Sequence, residues 1–212
     1  MFCILQKKLK KRTVQLLIMT KQPNIAIFAS GAGTNAEKII QFYKAKTEYA
    51  ANVNLVVCNN PHAGVINIAA AAKIEVLHIN RDQFFNGDHY LPALLAKQVD
   101  WIILAGFLWK VPQALVDTYR NRIINIHPAL LPKFGGKGMY GLHVHEAVIK
   151  AGEKESGITI HYVDEHYDHG DFIAQYRCAV ENTDTPTSLA DKIRVLEHTH
   201  FASVVAKEIA SN

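Results

Sequence analysis

The sequence has only three cysteines, and their positions fit none of the usual cysteine-based architectures. Cys3, Cys58 and Cys178 are odd in number and widely separated, so they match neither a disulfide framework nor the paired spacing of a zinc site. The sequence also lacks an apolar run of the roughly 18–20 residues that a membrane-spanning helix requires. The lack of a disulfide pattern favours a reducing compartment, and we therefore expect a cytoplasmic protein.

Excess charge is scarce outside the N-terminal segment. The formal net charge is +4, but five basic residues lie close together near the N-terminus with no acid among them: Lys7, Lys8, Lys10, Lys11 and Arg12. Without them the remaining chain carries a formal charge of about −1, which gives no electrostatic argument for a nucleic-acid surface. We expect residues 1–22 to be a poorly ordered extension.

Apolar runs alternate with helical patterns through most of the chain. Strands are predicted over residues 24–29, 53–58, 75–79 and 101–105, and a fifth leads into residue 125, with helical patterns between them. Such alternation predicts right-handed crossovers and a parallel sheet.

The last part of the chain has a different order of elements. Two strands over residues 157–163 and 172–180 face each other across a turn-rich link, and an amphipathic helix starts near residue 185. No repeat or linker interrupts residues 23–212. We therefore predict a single Rossmann-like α/β domain, with a mostly parallel sheet, flanking helices and an antiparallel C-terminal extension.

The end of the fifth predicted strand carries the first candidate site, Asn125 and His127. Residues two apart on a strand point to the same side, so the amide and the imidazole emerge together. Pro128 has no N–H and favours an extended His127, which ends the strand there. Ligands bind at the carboxyl ends of open parallel sheets, and an amide donor beside a proton carrier suits chemistry at a carbonyl. The alternative is a structural role, with the amide capping a loop.

A glycine-containing turn follows the first predicted strand. Residues 30–35 read Ser-Gly-Ala-Gly-Thr-Asn, and the N–H groups of such a loop converge on a phosphate at a helix N-terminus. Residues 31–36 also match a loose dinucleotide pattern, but the second strand ends in Cys-Asn-Asn at residues 58–60, without the acid that holds a ribose. The pattern favours a phosphomonoester over a nicotinamide cofactor; a turn that only serves helix packing is the alternative.

Residues 164–171 join the last two predicted strands and contain four acids and two histidines. If this segment folds over the end of the fifth strand, one carboxylate reaches His127 and keeps its imidazole protonated and oriented. The alternative is a solvated acidic loop. His143 and His145 lie at the start of a helix, where residues two apart do not share a face, so we expect no catalytic metal.

These segments together resemble the glycinamide ribonucleotide formyltransferases, the folate-dependent enzymes of purine synthesis, over residues 24–205. The resemblance rests on the segment 30–35, on Leu-Ala-Gly-Phe at 104–107, on Asn-Ile-His-Pro-Ala-Leu-Leu-Pro at 125–132, on Gly-Ile-Thr-Ile-His at 157–161 and on Asp168.

The resemblance implies the formyltransferase fold and a transfer of formyl from 10-formyltetrahydrofolate, as co-substrate, to the amine of phosphoribosylglycinamide. Asn125 would bind the formyl oxygen, His127 would donate the proton, and Asp168 would support it. The phosphoribosyl end would contact Gly33, Thr34, Asn35 and Glu197. The folate would contact Leu108, Trp109, Lys110, Val111 and Asn125. We expect small-molecule substrates, no nucleic-acid or membrane partner, and a monomer or weak homodimer.

Two departures from the family pattern stand out. Residues 134–140 form a longer link than some relatives have. The basic residue that some relatives place before the third helix has no clear counterpart, since Gly87 falls near that position and Arg81 is only a nearby candidate.

The sequence leaves three alternatives to this activity. A formyltetrahydrofolate hydrolase is expected to have a regulatory domain before the catalytic one, and a transfer-RNA formyltransferase is expected to have a C-terminal nucleic-acid-binding domain. A non-catalytic nucleotide-binding α/β module would bind phosphate without transferring a formyl group.

Overall fold

The structure is a computed structural model that describes residues 21–45, 48–86 and 88–212. An extension was predicted over residues 1–22, and residues 1–20 of it lie outside the described residues. Within the described parts of the chain, no helix is both long and apolar enough to span a membrane.

One seven-stranded sheet organises the described residues, in the order β3-β2-β1-β4-β5-β6-β7. The strands are β1 (Asn24–Ala29), β2 (Asn52–Cys58), β3 (Glu75–His78), β4 (Trp101–Leu104), β5 (Ile123–His127), β6 (Glu155–Tyr162) and β7 (Phe172–Ala179). The first five are parallel, whereas β6 pairs antiparallel with β5 and β7 antiparallel with β6. The predicted mostly parallel sheet with an antiparallel extension is confirmed.

Helices cover both faces of the sheet. They are α1 (Thr34–Ala45), α2 (Val65–Ala72), α3 (Arg81–Phe85), α4 (Leu91–Ala96), α5 (Gln113–Thr118), α6 (Leu142–Lys150) and α7 (Pro186–Ser211). The sheet has a hydrophobic core on each face, and alternate residues of β1 point into one or the other. Ile25 and Ile27 pack with α1, α2, α6 and α7. Ala26 and Phe28 pack with α3, α4 and α5 on the other face. Burial on both faces explains why the inner strands β1 and β4 are nearly continuous apolar runs, whereas the edge strand β3 has no buried residue.

The short helix α3 is absent from the sequence-based prediction. It begins after Asn80, whose side chain accepts a hydrogen bond from the Gln83 backbone N–H, and it buries only Phe84. Five residues are too few to show helical periodicity, so only its cap could have revealed it.

The long helix α7 fixes one wall of the site described below. Thr185 and Ser188 form a reciprocal capping box at its N-terminus, which satisfies backbone donors that the first turn leaves unpaired. Leu189, Ile193 and Phe201 are buried against the sheet. The helix is thereby held with its inner face towards the end of β5.

Candidate active site

A cavity of about 770 Å³ lies at the carboxyl ends of β4 and β5, within the size range of small-molecule sites. Its walls come from the loops that follow these two strands, from residues 136–142, from residues 161–168 and from the inner face of α7. This is the edge at which open parallel sheets bind ligands.

Asn125 and His127 lie on the same side of β5, as their spacing predicts, and both line the cavity. Asn125 is paired with Leu104 of β4 and with His161 of β6 across the sheet, so its position is fixed from both sides. The His127 side chain is only 4% exposed. Most buried polar atoms have a hydrogen-bond partner, so the surroundings of the two ring nitrogens indicate their roles.

The two ring nitrogens of His127 face different groups. Nε2 lies 2.8 Å from the backbone oxygen of Phe134, and because a carbonyl can only accept, Nε2 is the donor. Nδ1 lies 3.5 Å from Oδ2 of Asp168. The nitrogen on the side of the carboxylate is therefore the one left for proton transfer.

Asp168 reaches His127 because the segment between β6 and β7 folds back over the end of β5. The residue adopts the left-handed conformation with φ of 54°, which aspartate tolerates better than most residues. Its Oδ2 also accepts a 2.8 Å hydrogen bond from the Gly136 N–H. A Cβ on the neighbouring Gly135 would lie 2.5 Å from Leu131 Cδ2 and 3.3 Å from Asp168 Cβ, so glycine there permits the close approach.

His161 is a site residue to which sequence reasoning assigned no role. Its Nδ1 lies 2.7 Å from the Tyr162 backbone oxygen and must donate to it, and burial lowers the pKa of its imidazole. The neutral ring therefore presents Nε2 as an acceptor, 3.1 Å from Asn125 Nδ2. This contact orients the Asn125 amide with its second N–H free. The cross-strand register that places His161 opposite Asn125 appears only in the structure, so the sequence alone carried no signal for this role.

Of the four residues predicted for the phosphoribosyl end, two line the cavity and two do not. Asn35 and Glu197 line the cavity, and Asn35 Nδ2 donates to Glu197 Oε2 at 2.9 Å. Gly33 and Thr34 are not among the lining residues. Gly33 has φ of 82°, and a Cβ there would lie 2.7 Å from Val65 Cα, so close packing on α2 by itself requires a glycine.

One basic side chain near the phosphoribosyl end of the cavity was not identified from the sequence. Arg194 lies one helical turn before Glu197 on α7 and lines the cavity with it. Burial raises the pKa of the Glu197 carboxyl, while the Asn35 hydrogen bond and the Arg194 charge oppose that rise. Asn35 Oδ1 is buried without a protein partner, so an acceptor remains for a ligand donor.

All five residues predicted for the folate line the cavity: Leu108, Trp109, Lys110 and Val111 as one continuous segment, and Asn125 at the end of β5. The Leu108 N–H donates to Ser30 Oγ at 3.0 Å, which ties this loop to the glycine turn. The Trp109 ring packs at 5.6 Å from Phe84 and also from Phe85. This aromatic packing makes an apolar wall of the kind that planar ligands use.

Of the basic residues near residues 108–111, some line the cavity and some do not. Arg81 stacks at 5.4 Å over the Phe85 ring and is not among the lining residues, and the expectation about Gly87 falls outside the described residues. Lys110 lines the cavity, with Nζ 5.7 Å from the centre of the Tyr167 ring. Lys137 is a second lining lysine.

Comparison with known proteins places this geometry in a family. The formyl transferase family model matches residues 23–205. A phosphoribosylglycinamide formyltransferase of Bacillus subtilis is 35% identical over 88% of this chain and 95% of its own length. A chloroplastic phosphoribosylglycinamide formyltransferase of Arabidopsis thaliana is 38% identical over 87% of this chain, and the match spans only 65% of that relative's length.

A solved structure shows the same fold. The crystal structure of phosphoribosylglycinamide formyltransferase from Bacillus halodurans superposes with a TM-score of 0.79 at 39% identity, over 87% of this chain and 94% of that one. With the family model matching nearly the whole domain, this chain belongs to the formyl transferase family.

Proposed function

We propose that this protein transfers the formyl group of 10-formyltetrahydrofolate to the glycine amine of phosphoribosylglycinamide in purine synthesis. The products are formylglycinamide ribonucleotide and tetrahydrofolate. The observation that carries the proposal is the convergence of Asn125, His127 and Asp168 on one cavity, between an apolar wall and a polar one. The similarity to named phosphoribosylglycinamide formyltransferases supports the choice of substrates.

The first step is attack of the neutral amine on the formyl carbon, which gives a tetrahedral carbon with a negatively charged oxygen. The free N–H of Asn125 donates to that oxygen as its charge develops. His161 holds the amide in this orientation through the 3.1 Å contact between its Nε2 and Asn125 Nδ2. A fixed donor of this kind loses little energy to reorganisation during the reaction.

The second step breaks the bond from the formyl carbon to the folate nitrogen. The amine releases one proton and the departing folate nitrogen takes one, so that the exchange balances. His127 carries the proton at Nδ1, because Nε2 already donates to Phe134 O at 2.8 Å. Asp168 stabilises the doubly protonated ring in its buried position.

The substrates span the cavity between opposite walls. In the proposed complex, Glu197 and Asn35 contact the ribose, Arg194 contacts the phosphate, and the pterin lies against residues 108–111. Gly33 and Thr34 lie outside the cavity lining, so we assign them to the phosphate only through the backbone N–H groups of the turn before α1. Lys110, near the mouth beside Tyr167, is the cation we assign to the glutamyl carboxylates of the folate.

Replacing Lys110 tests this assignment. Lys110→Met keeps the aliphatic stem and removes the charge, and because the side chain is solvent-exposed we expect the KM for the donor to rise about 2- to 5-fold with kcat unchanged. With a donor that lacks the glutamyl group, 10-formyltetrahydropteroate, the variant and the unmodified protein should have equal KM values. Lys137→Met is the matched control; a glutamyl-dependent defect in that variant instead would reject Lys110 as the anchor.

Turnover of the purified protein tests the proposed function. The protein is assayed with 10-formyltetrahydrofolate and phosphoribosylglycinamide, and in parallel without the amine. Formylated amine with little reaction in its absence is the expected result. Formate release at equal rates with and without the amine would identify a hydrolase, and binding without either product would identify a non-catalytic module.

We further propose that residues 23–212 form the catalytic domain, that the protein acts in the cytoplasm, and that it is a monomer or weak homodimer. The protein uses 10-formyltetrahydrofolate as a co-substrate and needs no metal for the transfer step. Its partners are small molecules, in keeping with the near-neutral charge of the chain beyond its basic N-terminal segment.

A further inference from the structure

The segment between β6 and β7 contains a second group of functional side chains that the transfer reaction does not use. Asp164, His166 and His169 each offer one ligand atom, and these atoms lie within 4.8 Å of one another. They follow the spacing Asp-x-His-x-x-His. Two imidazoles and one carboxylate form a donor set typical of zinc, nickel, copper and other divalent transition metals.

The Asp164 carboxylate is already oriented for a ligand role. Its Oδ1 accepts a 2.8 Å hydrogen bond from the His166 N–H, which fixes the carboxylate and leaves Oδ2 facing the imidazoles. Oδ2 lies 3.0 Å from His169 Nδ1. Hydrogen bonds of this kind orient metal ligands in known sites.

The two imidazoles lie beside the carboxylate and are free to close on an ion. Their ring centres are 5.4 Å apart, and the His169 side chain is 73% exposed. Ligand atoms around tetrahedral zinc lie about 3.3 Å apart, given metal–ligand distances of about 2.0–2.1 Å. The ligand atoms lie within 4.8 Å of one another, and His166 and His169 are exposed, so rotation of these two side chains can shorten the distances.

The local charge favours a cation. Asp164, Glu165, Asp168 and Asp171 all lie within this eight-residue segment. Four carboxylates so close together give a negative local potential, which attracts a metal cation.

We propose that Asp164, His166 and His169 form a binding site for one divalent transition-metal ion of the zinc class at the wall of the cavity. Asp164 and His166 line the cavity, and Asp168 lies between the two histidines in the sequence. A bound ion would tie together the residues on both sides of Asp168. The site is separate from the transfer chemistry, which needs no metal.

Zinc titration by calorimetry tests the proposal on the full, untagged chain with its thiols kept reduced. One zinc ion per chain is the expected stoichiometry. His166→Gln and His169→Gln should each weaken the affinity by at least about 10-fold, the lower bound of the effect of losing even an outer-shell partner. Magnesium in excess should not compete, because it prefers oxygen ligands.

His143→Gln is the matched control, because that exposed histidine also lies beside one carboxylate, Glu146, at 3.2 Å. It should leave the affinity unchanged, and replacement of exposed side chains should leave the melting temperature of all three variants near that of the unmodified chain. Absence of zinc binding to the unmodified chain, or a zinc affinity of the His166 and His169 variants equal to that of the unmodified chain, would overturn the proposal whether or not the chain transfers formyl groups.

Discussion

Asn125→Ala is expected to lower kcat by about 10²–10³-fold, which corresponds to a loss of ~2.7–4 kcal/mol of transition-state stabilisation. The Asn125 N–H that is not used by His161 is the donor aimed into the cavity, and alanine leaves the developing oxyanion without it. The KM values should change little, because the interaction strengthens as charge develops on the oxygen.

Asn54→Ala serves as the control for this experiment. Asn54 is also a partly buried strand asparagine with one side-chain hydrogen bond, to the Lys97 backbone oxygen at 2.8 Å, but it is not among the cavity-lining residues. Its replacement should affect stability and not kcat. If Asn125→Ala and Asn54→Ala had the same near-normal kcat, Asn125 would have no part in the transfer.

Asp168→Asn is the second substitution with a large expected effect, a loss of about 10²–10⁴-fold in kcat, the usual contribution of a positioned proton donor. The amide keeps the size of the side chain and an oxygen that can accept the Gly136 hydrogen bond. It removes the negative charge that faces His127 Nδ1 at 3.5 Å. A doubly protonated ring that is only 4% exposed then has no counter-charge, so the proton-donating form is lost.

Asp171→Asn provides the comparison within the same segment. Asp171 is exposed, and it makes no contact with His127 in the structure. Steady-state assays of both variants should therefore separate the charge at residue 168 from the general acidity of the segment. Equal kcat values for the two variants would show that the segment acts only as a solvated acidic loop.

The fold follows from sequence features that act locally. The parallel strands β1, β4 and β5 are short, mostly apolar runs that are buried on both faces, and β2 is buried over its second half, so they differ clearly from the amphipathic helices that separate them. The edge strand β3 is an exception, because its residues are exposed or half-buried. The antiparallel pair β6 and β7 was recognisable from two strand-like runs joined by a short polar link. Among the elements of the described residues, α3 alone was missed, because a five-residue helix is too short to show a helical period.

The sequence predicted part of the site. Groups that are close together along the chain could be placed from strand geometry, whereas groups that are far apart along the chain could not. Asn125 and His127 are two residues apart on one strand, so strand geometry alone places them together. Asp168 lies about forty residues later, and its left-handed backbone and its contact with Gly136 depend on how two loops fold over each other. The family resemblance named Asp168; periodicity and spacing could not.

His161 and Phe134 O show what only coordinates reveal. Which nitrogen of His127 is available for proton transfer follows from its contact with the Phe134 carbonyl, and the orientation of the Asn125 amide follows from the tautomer of His161. Backbone carbonyls and imidazole tautomers have no signature in an amino-acid sequence. These two contacts determine which side-chain atoms face the reacting carbon.

The most direct test of the account is a crystal structure of the protein with a bound analogue that joins the folate to the amine substrate through a tetrahedral carbon. We predict an oxygen on that carbon about 2.7–3.1 Å from Asn125 Nδ2, with His127 Nδ1 facing the folate nitrogen and Asp168 beside the ring. A tetrahedral carbon bound beyond the reach of Asn125 and His127, or an Asp168 carboxylate turned away from His127, would contradict the account.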